Sequence, residues 1–164
     1  MTAGRETRTL PALAPAPVEM PSAIASWSEV LTQDTTWNEH SHPYHELIWN
    51  ERGASTAVSG SRVWTITPIL GLWMPAGTLH SGSASAGTWC RANFFGFDAV
   101  PPISPTPVSV EITPLLRLLL ERLADPGLPP KSRALTEALV LDVLAPSPRE
   151  LLVQLPTSEL LRPI

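Results

Sequence analysis

One cysteine (Cys90), one lysine (Lys131) and one tyrosine (Tyr44) occur in the 164 residues. A lone thiol cannot close an internal disulfide, and there is no Cys-x-x-Cys pair to build a thiolate metal site. Lys and Arg total 11 against 15 Asp and Glu, for a formal charge of −4 and a pI near 5.5. That balance, with the arginines scattered, argues against a basic nucleic-acid-binding surface on this chain. No run of about 18 apolar residues is present, the length a membrane-spanning helix requires. A Gly-x-Ser-x-Gly elbow, a Walker loop and a dinucleotide fingerprint are also missing. Ser81 follows His80 directly, and neighbours on a strand point to opposite faces, so they do not form a Ser–His dyad.

What is plentiful is proline, at 19 residues, beside 9 glycines and a 43% hydrophobic content. Enough apolar material exists for a core, while the prolines exclude a long helical bundle. Residues 1–24 are rich in Ala, Pro and Thr and read as a flexible tail. Pro11, Pro15, Pro17 and Pro21 interrupt every stretch that might serve as a secretory signal, so the cytoplasm is the expected compartment. From about Trp27 to Val110 short runs of Trp, Val, Ile, Thr and Phe alternate with Gly, Pro and Ser. Strands are expected over 46–50, 55–58, 62–67, 71–74, 79–81 and 89–97, a mainly β sandwich or small barrel. Beyond Val110, Thr113-Pro114 forms an N-cap and first helical position, and Leu115, Leu119 and Leu123 recur at helical spacing until Asp125-Pro126-Gly127. A second helix is expected from about Ser132 to Leu144. Its apolar residues 138–141 call for cover on more than one side, and a second copy of the chain supplies the economical partner.

All four histidines fall within Glu39-His40-Ser41-His42-Pro43-Tyr44-His45-Glu46 and Pro75-Ala76-Gly77-Thr78-Leu79-His80. On an extended chain His40, His42 and Glu46 share one face, while His45 points to the other. Two imidazoles and a carboxylate converging from a sheet edge suit one divalent transition metal ion: Zn, Fe, Ni, Mn or Cu. A fourth ligand must come from elsewhere, and His80 is the one remaining histidine. The alternative is that these rings hydrogen-bond neighbouring polar groups or line an organic-ligand pocket. Glu39 is solvated or orients His40.

His40-x-His42-x3-Glu46-x6-Gly53 and Pro75-x-Gly77-x2-His80 resemble the two motifs of the cupin superfamily, although Ala84 and Ile69 replace an Asn and a Gly usual there. That resemblance implies a small jelly-roll barrel with His40, His42, Glu46 and His80 as metal ligands. The wider pattern His-x-His-x2-His-Glu-Leu-Ile-Trp, Arg-Gly and Leu-Trp-Met-Pro-Ala-Gly-x2-His resembles the N-terminal effector domain of AraC-type transcription regulators. It implies a cupin barrel over 25–111, dimerisation helices over 112–146 with the homodimer formed through 113–145, and a linker over 147–164 before a DNA-binding domain absent from this chain. A small molecule or metal would be the effector. DNA contact would belong to the full-length protein and not to this fragment, and no membrane is involved. A free-standing metal-dependent cupin enzyme, an oxygenase or isomerase, is the alternative reading.

Further pocket candidates follow from position. Trp64 and Trp73 lie on strands leading towards or facing His80. Tyr44 shares parity with the ligands and could donate a hydrogen bond to a bound molecule. Arg91 shares parity with Trp89, Asn93 and Phe95; it anchors an anionic effector if that face is interior and is a solvated charge if it is not. Cys90 reads as a small buried apolar residue.

Overall fold

Two antiparallel-dominated sheets enclose the centre of the molecule, seen in a computed structural model that describes residues 4–11, 23–96 and 100–155. The strands are β1 (Arg5–Arg8), β2 (Ile24–Val30), β3 (Asp34–His40), β4 (His45–Arg52), β5 (Ser55–Ser59), β6 (Arg62–Ile66), β7 (Leu70–Met74), β8 (His80–Ala84), β9 (Trp89–Phe95), β10 (Val108–Glu111) and β11 (Leu152–Gln154). One sheet runs β1-β3-β8-β5-β6-β11 and the other β10-β7-β4-β9-β2. Helices α1 (Pro114–Leu123) and α2 (Pro130–Val143) follow the barrel. This is the expected mainly β cupin architecture with a C-terminal helix pair.

Alternation gives the second sheet two different faces. On β4, Leu47 and Trp49 join Phe95 of β9 and Trp73 of β7 in a core completed by Leu116, Leu120, Leu123 and Val140 of the helices. Glu46, Ile48 and Asn50 alternate with them and line an internal cavity. The helices therefore cover one face of the sheet whose other face forms the cavity wall. Helix α1 starts where Thr113-Pro114 predicts, with the Thr113 hydroxyl accepting from the Leu116 N–H at 3.2 Å. Helix α2 begins at Pro130, two residues before the expected start, because a proline is favoured in the first helical turn. It buries Thr136 and Glu137 along with Val140. The Thr136 hydroxyl accepts from Arg122 Nε at 3.1 Å, and the Glu137 carboxylate accepts from the Ile24 N–H at 3.3 Å.

Two expectations need correction. Within the expected tail, Arg5–Arg8 is a strand paired in parallel with β3, and Arg8 places both terminal guanidinium nitrogens on Glu29 at 2.6 and 2.7 Å. Residues 1–3 and 12–22 of that tail lie outside the described residues. In the expected linker, Leu152–Gln154 pairs with β6 as the sheet's last strand; residues 156–164 lie outside the described residues, as does Phe97 of the expected 89–97 strand.

Leu120 has no solvent exposure, whereas Ile69 is 70% exposed. Leu120→Ala should lower stability by about 2–5 kcal/mol, and Ile69→Thr by no more than about 0.5 kcal/mol. Urea unfolding of the two variants checks both, with the midpoint moving for Leu120→Ala alone.

Candidate metal centre

His40 closes β3 in one sheet and Glu46 lies near the start of β4 in the other, so the segment between them crosses the mouth of the barrel. The register of β3 against β8 shifts between Trp37 and His40, and His40 ends up opposite His80. Convergence therefore comes from the chain crossing between sheets, and not from one extended edge as parity alone suggested. The second motif is tied to the first by the Gly77 N–H, which donates to the His42 carbonyl at 2.8 Å. Gly77 has φ +78°, a conformation that side chains other than glycine rarely adopt, and this turn sets the entry of β8 and its His80.

The three imidazoles of His40, His42 and His80 are buried and bring ring nitrogens within 4.8 Å of one another. His40 Nδ1 donates to the Asn38 carbonyl at 2.6 Å, and His80 Nδ1 donates to the Thr78 carbonyl at 2.8 Å. Each bond places the proton of a neutral ring on Nδ1 and leaves the Nε2 lone pair aimed at the cluster, as metal-bound histidines do when a backbone carbonyl holds their other nitrogen. His40 Nε2 lies 3.1 Å from His42 Nε2. Glu46 Oε2 is buried without a hydrogen-bond partner, 3.4 Å from His80 Nε2 and 3.6 Å from His42 Nε2. Two atoms that each bind one ion at about 2.1 Å stand roughly 3.0–3.4 Å apart at octahedral to tetrahedral angles. The His40–His42, Glu46–His80 and Glu46–His42 separations of 3.1, 3.4 and 3.6 Å lie in or close to that range, and three nitrogens with one oxygen are a donor set for a first-row transition metal.

The electrostatics of the cluster follow from burial and mutual contact. Burial pushes the Glu46 carboxyl upward, but the imidazoles, His80 first, outweigh it and hold the group below the ordinary carboxylate value. His80 is pushed down by burial and raised more strongly by Glu46, so it sits above the usual histidine value. His40 is held below that value by burial, against the opposing bond to Asn38.

Behind the cluster extends a cavity of about 240 Å³. Trp27, Trp37, Ile48, Ala92 and Phe94 line it, and Arg8 and Leu10 close onto it from the N-terminal strand. The Leu10 segment is held by Asn38, whose side chain accepts from the Leu10 N–H at 2.6 Å and donates to its carbonyl at 3.0 Å. Arg8 lies over the Trp37 ring at 5.5 Å.

The proposed pocket walls fall elsewhere. Trp73 belongs to the helix-facing core, stacked on His45 at 5.3 Å. Trp64 packs with Ala57, Ile66, Leu72 and Met74 under the Arg62 guanidinium. Tyr44 packs against the cluster of Ala25, Ala92 and Phe94 and does not line the cavity. Arg91 borders the cavity through its strand, but its guanidinium turns to the helix side, bonding Glu51 at 3.2 Å and covering Trp49 at 4.8 Å. It is neither an anchor inside the cavity nor a solvated charge. His45 is a buried outer-face residue, as parity indicates, with Nδ1 accepting from the Ala76 N–H at 3.0 Å. Reasoning from sequence missed Trp27, Trp37 and Arg8. The signal available for Trp27 was the alternation of Cys90, Ala92 and Phe94, which marks the interior face of β9 and, by pairing, that of β2.

A family model described as the AraC-like ligand binding domain matches residues 28–144. The HTH-type transcriptional regulator NimR of Escherichia coli K12 is 28% identical over 140 residues, covering 84% of this chain and 50% of the regulator. The chain thus spans half the length of that relative. Among solved structures, Bacillus subtilis oxalate decarboxylase, in a study of its Mn(II) centres, is similar at 15% identity and a TM-score of 0.39, over 84% of this chain and 36% of the enzyme. A second oxalate decarboxylase structure, at pH 4.6, aligns with a TM-score of 0.38 at 15% identity over 83% of this chain and 35% of the enzyme.

Protein isolated without a chelating column should carry about one equivalent of transition metal per chain, and the His42→Ala/His80→Ala double variant should carry almost none. Elemental analysis decides it; full metal content in the double variant would remove these residues as ligands. Burial pushes the Cys90 thiol up to about 11, so alkylation by iodoacetamide at pH 7.5 should be slow. Its rate should rise about tenfold per pH unit while the fold holds, because the thiolate is the reacting species. Denaturant should abolish the protection.

Proposed function

Because the chain belongs to the AraC-like ligand binding domain family, we propose that it is the effector-sensing and dimerisation part of a DNA-binding transcription regulator, working in the cytoplasm with one metal ion in its barrel. The observation that carries this reading is the meeting of His40, His42, His80 and Glu46 at the end of a mostly apolar cavity. Such an ion would act as a Lewis acid that anchors a donor atom of the effector. The protein itself supplies the enclosure: mostly apolar walls line the cavity, and Arg8 and Leu10 border it.

A connection from cavity to helices runs through Glu51 at the end of β4. Its carboxylate accepts from Arg91 of β9 and from Arg117 of α1, and both guanidiniums lie over the Trp49 ring, at 4.8 and 5.6 Å. A shift of β4 or β9 on effector binding therefore alters what holds α1. A ligand moves that balance only as far as it prefers one packing over the other. On the outer side of the helices Leu115, Leu118, Leu135 and Leu139 are 40–64% exposed, the apolar material for a homodimer contact. No helix among the described residues is long and apolar enough to cross a membrane.

Replacing Leu135 and Leu139 together by Glu should convert a dimer into a monomer in sedimentation, with the far-UV spectrum unchanged. An unchanged dimer would place the contact elsewhere. Fluorescence anisotropy with promoter DNA should show no specific binding by this chain, while the full-length regulator binds and the His42→Ala/His80→Ala variant loses its effector response in a reporter assay.

A further inference from the structure

The effector reading leaves open what enters the cavity, and the lining answers it in chemical class. Asn50 and Ser55 at the far end and Arg8 at the mouth already have hydrogen-bond partners. Asn50 donates to Gly53 O, Ser55 Oγ and Ile66 O at 3.1–3.3 Å, and accepts from the Ser55 hydroxyl at 3.3 Å. Arg8 at the mouth is held by Glu29 and Glu6. Thr56, Ser81 and Ser83 alternate with Ala57 and Gly82 and belong to the outer parity of β5 and β8. Between Glu46 at one end and the Asn50–Ser55 pair at the other, the inward strand positions include the apolar Ile48, Ala57, Ala92 and Phe94. Trp27 and Trp37 border the same space and each adds one indole N–H donor to a largely aromatic and aliphatic wall.

The space is also directional. Glu46, Ile48 and Asn50 are successive inward positions of β4 that all border it, so it extends about 13 Å along that strand. One end carries three imidazoles and one carboxylate; the other is closed by the satisfied Asn50–Ser55 pair. With a divalent ion on the histidines, Glu46 alone leaves that end with net positive charge, which favours an anionic donor.

We infer that the cavity takes a small molecule with an apolar body and a single anionic head group, such as a monocarboxylate, the head at the His40–His42–His80 end and the body along Ile48 and Phe94. A polyol is disfavoured, since Ile48, Ala57, Ala92 and Phe94 offer its hydroxyls nothing in exchange for water. The inference rests on the effector-sensing reading and specifies its ligand.

Calorimetric titration of this chain, with one equivalent of Zn²⁺ added, against butyrate, hexanoate, benzoate and glucose tests it. Hexanoate and benzoate should bind one per chain. Affinity should rise about fourfold for each methylene from butyrate to hexanoate. Glucose should bind at least ~100-fold more weakly than hexanoate. Ala92→Leu, which fills the wall beside Phe94, should weaken hexanoate tenfold or more; Ala57→Val narrows the opposite wall if Ala92→Leu fails to fold. Glucose binding as tight as hexanoate, an affinity independent of chain length, no carboxylate binding, or binding untouched by a folded wall variant would each overturn the inference. Glucose binding that a wall variant abolishes would overturn the ligand class and leave effector sensing intact. A failure of effector sensing itself appears separately, as a reporter response unaffected by the His42→Ala/His80→Ala change.

Discussion

The crossing of the chain from β3 to β4 is the constraint on which the site depends. His40 is fixed at the end of β3 in one sheet and Glu46 near the start of β4 in the other, so the spacing of the two sheets sets how close their ligand atoms come. Two devices hold the crossing. The register shift before His40 sets it opposite His80, and the Gly77 N–H ties the second motif to the His42 carbonyl. Backbone carbonyls of Asn38 and Thr78 then take the Nδ1 protons of His40 and His80, so both rings arrive in the tautomer a cation needs. Preorganisation at this level explains how three imidazoles and a carboxylate can be buried together. Without a shared charge or proton, the close lone pairs and the orphaned Glu46 oxygen would be unfavourable.

The same sheet that carries Glu46 divides its side chains between two tasks. Inward residues of β4 and β9 form the cavity wall, and outward residues form the seat of the helices. A strand cannot move one set without the other, because both hang from one backbone. Glu51 adds an electrostatic contact to this mechanical one. It holds Arg91, whose neighbours Cys90 and Ala92 line the cavity, together with Arg117 of α1. Arg91 is buried and burial lowers its basicity, with Glu51 opposing, so the carboxylate is what makes a charged guanidinium tolerable on that face. Coupling of the cavity to the helices thus needs no long chain of contacts; one sheet thickness separates them.

The motif spacings and the two helices were legible in the sequence because each has a local physical cause. Gly53 and Gly77 take positive φ, and Thr113-Pro114 caps α1. Strands with a polar exterior were less visible. β2 (IASWSEV) and β3 (DTTWNEH) alternate apolar with Ser, Thr, Glu and Asn so weakly that they read as loop, and β1 (RETR) contains no apolar residue at all. Missing β2 and β3 also hid Trp27 and Trp37. The misplacement of Trp73 has a different origin. β7 is buried on both faces, so alternation along Leu70–Met74 carries no mark of which side is interior. Arg91 was ambiguous for a related reason: its partners Glu51 and Arg117 are distant in sequence, and only tertiary packing makes a buried arginine on the helix side possible.

The split between a polar end and an apolar body also bears on how a signal could arise. In the proposed reading, a donor atom held at the histidine cluster would provide affinity but touch residues anchored to both sheets by the crossing, which leaves little freedom to move. The apolar body of the proposed effector would instead lie along Ile48, Ala92 and Phe94, in the strands that support Leu47, Trp49 and Phe95 under the helices. Packed cores respond to added volume by repacking in discrete steps. Under the proposed function, anchoring and signalling would fall to different parts of the cavity: the cluster would fix the head, and the fit of the body against the inner face of β4 and β9 would decide which arrangement of the helix core is preferred.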